Sequence, residues 1–155
     1  PPVPNTMTWV APPHSITARS ISMTATTALD RAGVEYHFTC TSGGGHNSGW
    51  QRDPAYIATN LTPNTLYSYT VTARDKSLYT NSAVPSSPAS AKTPLAGDTE
   101  PDNDVDFADF ACFSQYFPNP GPLTPLAAAQ GDLDGDGDVD MQDASVIADN
   151  WLAAP

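Results

Sequence analysis

Acidic residues recur in this chain at one fixed spacing, in two frames that begin at Asp98 and at Asp132. The first frame holds Asp98, Glu100, Asp102, Asp104, Asp106 and Asp109; the second holds Asp132, Asp134, Asp136, Asp138, Asp140 and Asp143. Both place carboxylates at positions 1, 3, 5, 7, 9 and 12 of a twelve-residue stretch, the spacing of a calcium loop. Calcium is a hard cation that takes about six to eight oxygen ligands, so a loop can supply the shell only by wrapping tightly. Such crowding of like charges is repulsive until a cation enters. Two frames imply two calcium ions.

In the second frame the side chains of Asp132, Asp134 and Asp136 are the expected ligands at positions 1, 3 and 5. Gly137 allows the sharp turn at position 6. Asp138 is expected to coordinate through its backbone carbonyl, with its carboxylate outside. Asp140 acts directly or through water, and Asp143 closes the shell. Val139 at position 8 is expected to point inward and pair with Val105. The first frame departs from this pattern: Glu100 adds a methylene at position 3, Pro101 replaces a glycine, and Asn103 stands at position 6. Asn tolerates the left-handed turn better than most residues, so the turn survives and this loop is expected to bind, though with these departures more weakly.

A helix-like segment follows each loop and must hold its end. Phe110, Phe113 and Phe117 match Ala144, Ile147 and Trp151, one helical stripe in each repeat. Pro118 is expected to end the first helix. Thr124-Pro125 offers an N-cap and a first-turn proline for a short connecting helix through Gln130. No full helix enters either loop: Thr93-Pro94-Leu95-Ala96-Gly97 precedes the first, and a short Ala-rich turn precedes the second. Acidic low-complexity sequence would not keep two matching frames, each followed by an apolar stripe.

The rest of the chain reads differently. Six basic and four acidic residues precede Gly97; thirteen acids and no Lys or Arg follow it. A chain of net charge −11 without a basic patch is unsuited to nucleic acid. It has neither a polybasic membrane signature nor an apolar run long enough to span a bilayer, so no membrane insertion is expected. The start, Pro1-Pro2-Val3-Pro4, reads as a fragment of a longer precursor, in which an upstream catalytic domain is possible. Cys40 and Cys112 fall in different modules, and both a disulfide and two reduced thiols fit.

Residues 5–93 read as all-β. The expected strands are Thr6–Val10, Ser20–Thr26, Val34–Thr41, Ala55–Thr59, Leu66–Ala73 and Ala89–Thr93, separated by Gly- and Pro-rich turns. Trp9, Ile21, Met23, Tyr36, Phe38, Ile57, Leu66, Tyr69 and Val71 are the expected inward residues, and His37 is expected to face solvent. About seven short strands in about ninety residues indicate a β-sandwich. His46 lies in the Gly-rich loop Ser42–Gly49, which Trp50 follows. Trp50 either packs on the sandwich or offers an aromatic face to a carbohydrate. No nucleophile–base pattern or catalytic carboxylate pair appears, so no enzymatic activity is expected of these residues.

Leu61 to Asp75, with Thr62-Pro63-Asn64 before Leu66-Tyr67-Ser68-Tyr69, resembles the E–F corner and F strand of fibronectin type III domains. The resemblance implies that Tyr67 is the tyrosine-corner residue. Residues 97–152, with loop and exiting helix duplicated around a short helix, resemble the dockerin domain. The fold class expected is therefore multi-domain: an all-β fibronectin type III-like sandwich over 1–94, then a small all-α dockerin-like module over 95–155 with two calcium loop–helix repeats. The linker between them is short and contains Pro94, which restricts their orientation. The dockerin resemblance implies docking to a cohesin-like partner by a bacterial secreted or surface protein, and millimolar extracellular calcium suits such loops. Loop positions 10 and 11, Phe107-Ala108 and Met141-Gln142, are the partner-binding candidates. They lack the small hydroxyl pair of cellulosomal dockerins and differ from each other. Phe107 and Met141 are either apolar anchors or packed on a neighbouring helix. Calcium stiffening of the C-terminal part without a cohesin partner is the other reading.

Overall fold

A computed structural model describes residues 1–100 and 102–152. The chain divides into two compact units: one of Pro1–Ser15, Ser20–Leu61 and Thr65–Lys92, the other of Ile16–Arg19, Thr62–Asn64 and the chain from Thr93 onward.

The first unit holds seven strands, all of them whole except for the last two residues of the first: β1 (Trp9–Thr17), β2 (Ser20–Ala25), β3 (Val34–Ser42), β4 (Trp50–Gln51), β5 (Ala55–Ala58), β6 (Leu66–Asp75) and β7 (Ala89–Lys92). They form a three-stranded sheet ordered β1-β2-β5 and a four-stranded sheet ordered β4-β3-β6-β7. This is the expected sandwich. Side chains alternate across each strand, and on β6 the buried set is Tyr67, Tyr69, Val71, Ala73 and Asp75. Ile21, Met23, Phe38, Tyr67, Tyr69 and Val71 are at most 2% exposed and form the centre of the core. Burying each such side chain contributes about 1.5–3 kcal/mol.

Three expectations need correction. The first strand is Trp9–Thr17, not Thr6–Val10. It contains Pro12 and Pro13, and β1 is an edge strand, the position at which a sheet tolerates proline. Leu66 and Ile57 are 57% and 53% exposed, not inward. Leu66 precedes Tyr67 in a strict two-residue alternation, and Ile57 lies opposite Ser22 on the outer side of its sheet. β4 was not anticipated, because a two-residue strand carries no periodic signal; it places Trp50 opposite His37.

Trp50 packs on the outside of the four-stranded sheet. Its ring lies 5.1 Å from that of His37, and the Arg74 guanidinium sits 4.1 Å from its centroid. Glu35 holds Arg74 at 2.9 Å and Lys76 at 3.4 Å. The cation–π contact takes a ring face that a stacked sugar would require. Cys40 and Cys112 are both free thiols.

Among the described residues the second unit holds three helices: α1 (Phe107–Ser114), α2 (Pro125–Gln130) and α3 (Met141–Asp149). Thr124 caps α2 by accepting from the Ala127 N–H at 3.2 Å, with proline in the first turn as expected. α1 ends at Ser114, ahead of Pro118, and α3 at Asp149. Phe117 and Trp151 therefore lie beyond the helices whose stripes they were expected to continue. The core is small and built from matched pairs: Val105 with Val139, and Phe113 with Ile147, ringed by Leu95, Tyr116, Leu123, Leu133 and Ala144. Among the described residues no helix is long and apolar enough to cross a membrane.

Candidate metal centre

Each loop is wound by its own carboxylates. In the second, Asp132 accepts from the Gly135 and Gly137 N–H groups at 2.7 and 3.1 Å. Asp134 accepts from Asp136 N–H at 3.1 Å and Asp136 from Asp138 N–H at 3.2 Å. These short Asx turns are the local preference of Asp followed by a free backbone donor. They coil the chain so that carboxylates at alternate positions converge. The turn needs left-handed backbone at position 6, and Gly137 has φ +102°. Asn103 takes the same role in the first loop with φ +73°, as expected. Pro101 lies outside the described residues.

Position 12 closes each loop from inside. Asp143 is fully buried, and its carboxylate accepts from the N–H groups of Leu133 (2.6 Å), Asp134 (3.1 Å) and Asp140 (2.8 Å). Asp109 repeats this with Thr99 (2.6 Å), Glu100 (3.3 Å) and Asp106 (2.8 Å). One carboxylate thereby ties the start of a loop to the helix that leaves it. Asp106 and Asp140 at position 9 cap α1 and α3, accepting from Ala108 and Gln142 N–H at 2.7 and 2.6 Å. Positions 9 and 12 together make a capping box on each helix. The spacing Asp-x-x-Asp before an apolar stripe carried that signal, and the metal-loop reading passed over it.

Among the described residues three groups of carboxylate oxygens come within 4.8 Å of one another: Asp104, Asp106 and Asp109; Asp132, Asp134 and Asp136; Asp138, Asp140 and Asp143. Glu100, Asp102 and Asp98 lie on the same first loop, with Asp98 9% exposed. Burial, with repulsion from Asp109 and Asp102, pushes the Asp98 carboxyl up to about 6 against a hydrogen bond from Asn103 N–H that lowers it. Burial and neighbouring carboxylates also raise Glu100, Asp104, Asp134 and Asp138. A hard cation is the group that such a donor set fits.

The sign of the pH dependence follows. An acid whose pKa rises on folding binds more protons folded than unfolded, so without metal the stability Asp98 confers is largest below about pH 4 and is lost as pH rises through about 6. Cation uptake requires the ionised form and therefore strengthens over the same range. Calcium titrations at pH 7 and pH 5 are expected to give about tenfold weaker binding at the lower pH.

The position-7 side chains differ from expectation. The Asp104 and Asp138 carboxylates do not point away: one oxygen of each is buried without a hydrogen-bond partner. Val105 and Val139 are buried in one core as expected, but their backbones pair elsewhere. Val139 exchanges hydrogen bonds with Asn119, at 2.7 and 3.0 Å, and Val105 accepts from Leu152 N–H at 2.8 Å. Sequence reading also missed a support for the first loop, in which Tyr116 donates to Gln130 at 3.1 Å and Gln130 donates to the Thr99 carbonyl at 3.2 Å. No residue type or spacing announces it.

Beside the loops, α1 and α3 expose apolar side chains. Phe107 and Met141 are 71% and 69% exposed, so neither is covered by a neighbouring helix. Phe107, Phe110, Ala144, Ile147, Ala148 and Trp151 line a hollow of about 520 Å³. Ala108 is half-buried and Gln142 exposed.

Residues 96–150 match the family described as the dockerin type I domain. No curated protein matches the chain. Among solved structures the chain is similar to the fibronectin type III domain of human fibronectin type III domain containing protein 3, at 24% identity over 52% of this chain and 79% of that one, with a TM-score of 0.39. It is also similar to a myokine structure, at 16% identity over 56% of this chain and 99% of that one (TM-score 0.38). A third is the family 28 exopolygalacturonase of Yersinia enterocolitica, at 16% identity over 81% of this chain and 25% of that one (TM-score 0.43).

Proposed function

We propose, from the dockerin type I domain that this chain carries at residues 96–150, that its second unit is a calcium-folded docking module and its first a non-catalytic fibronectin-like spacer. The module boundary is placed at residues 94–95. Two calcium ions fill the loops. One is held by Asp98, Glu100, Asp102, Asp104, Asp106 and Asp109, the other by Asp132, Asp134, Asp136, Asp138, Asp140 and Asp143. The partner is a cohesin-like domain, and the setting is extracellular or on the cell surface, where calcium is plentiful.

The observation that carries the docking reading is the uncovered apolar face beside the loops, with Phe107 and Met141 both at least two-thirds exposed. A module stiffened by calcium with no partner would gain nothing from leaving these side chains in water. The positions flanking them differ between repeats, so the two halves present different surfaces and a single binding orientation follows. Thirteen acids without a basic residue from Asp98 onward favour a partner whose contact surface is apolar with a basic rim.

Phe107→Asp and Met141→Asp are expected to weaken partner binding by about a hundredfold each, in the range of buried anchor residues, while calcium uptake is unchanged. Isothermal titration against a purified cohesin domain reads both. Full affinity in both variants would move the interface elsewhere.

A further inference from the structure

We propose that the position-7 aspartates, Asp104 and Asp138, meet the bound cation with their side-chain carboxylates and not through their backbone carbonyls alone. This rests on reading the loops as calcium sites. In both loops the same atom, Oδ1, is buried without a hydrogen-bond partner. In both, the position-7 carboxylate lies within 4.8 Å of carboxylate oxygens at positions 9 and 12. The agreement arises although the loops differ at positions 3 and 6, Glu100 against Asp134 and Asn103 against Gly137. An ionised oxygen withdrawn from water needs a donor or a cation, and neither Oδ1 has a donor.

The first loop strengthens the point. Asp98 is more than nine-tenths buried and also leaves Oδ1 unpartnered, so positions 1 and 7 both hold an oxygen awaiting a cation. A carboxylate added at position 7 takes a coordination place that water would otherwise fill. In the first loop it also offsets the longer arm of Glu100.

Terbium(III), which takes oxygen ligands as calcium does, is the probe. Its luminescence decay in light and heavy water counts the waters on the bound ion. Asp104→Ala and Asp138→Ala remove every side-chain oxygen and keep the backbone carbonyl; Asp149→Asn, outside the loops, controls for loss of charge. The wild-type chain is expected to take up terbium. Each loop variant should raise the mean count by about half a water per ion, one water at one of two sites, and lose about tenfold in affinity. Asp149→Asn should do neither. Unchanged water counts in both loop variants would overturn the role of position 7 while leaving the sites themselves in place. No terbium uptake by the wild-type chain would overturn the calcium reading and this inference with it.

Discussion

Asp143→Ala is expected to abolish cation uptake by the second loop and to remove much of the folding free energy of the C-terminal unit. The carboxylate is fully buried and accepts three backbone N–H groups, from Leu133, Asp134 and Asp140. Hydrogen bonds to a charged acceptor contribute about 1.5–3 kcal/mol each, and donors left unmet in the interior carry a further cost. A loss of about 4 kcal/mol is therefore a lower figure. A unit of this size has only about 3–8 kcal/mol of stability in total, built on a core of four fully buried apolar side chains, Val105, Phe113, Val139 and Ile147. Titration calorimetry should show one calcium ion bound where the wild type binds two, and the helical signal should melt at far lower temperature. Asp109→Ala should act alike on the first loop. Two ions still bound by either variant would remove position 12 from the site.

Chelation should have the second large effect, and it should be selective. Even with water-like screening, carboxylate oxygens within 4.8 Å of one another repel by about 1 kcal/mol per pair, and each loop holds six acids. The cation reverses that term, and its binding free energy becomes folding free energy. At calcium about a hundredfold above the dissociation constant, each ion contributes about 2.7 kcal/mol. Two ions then raise the melting temperature of a domain this small by about 20 °C or more. The sandwich rests on Ile21, Met23, Phe38, Tyr67, Tyr69 and Val71, with no acid cluster of that kind. Calorimetry with and without a chelator should therefore move one transition and leave the other in place. Equal shifts of both, or no shift, would contradict calcium-linked folding of the second unit.

The clustering of carboxylates was legible because the acids recur at fixed spacing, and spacing survives in sequence. Gly137, Asn103 and the position-8 valines followed from the same frame. The burial of one carboxylate oxygen of Asp104 and of Asp138 did not follow from it, because the frame names a residue and not the direction of its side chain. Capping by Asp106 and Asp140 was written in the same residues but hidden by the metal reading. The sandwich was legible from alternation and turns, and the errors came where alternation was weak or overruled. Leu66 and Ile57 are apolar residues on the outward beat of their strands. Pro12 and Pro13 sit in an edge strand that tolerates them. Trp50 and Arg74 meet only because β4 and β6 both flank β3, a neighbourhood that no local pattern encodes. The exposure of Phe107 and Met141, open to two readings in sequence, was decided by the short helices and the small core that leave them uncovered.

Surface plasmon resonance between the immobilised chain and purified cohesin domains from the same source, run in millimolar calcium and again after a chelator, tests the central claim most directly. Saturable binding in calcium that vanishes with the chelator and returns on recalcification is the predicted result. A chain shown by calorimetry to be calcium-loaded and folded, yet silent toward every such cohesin, would contradict the docking account.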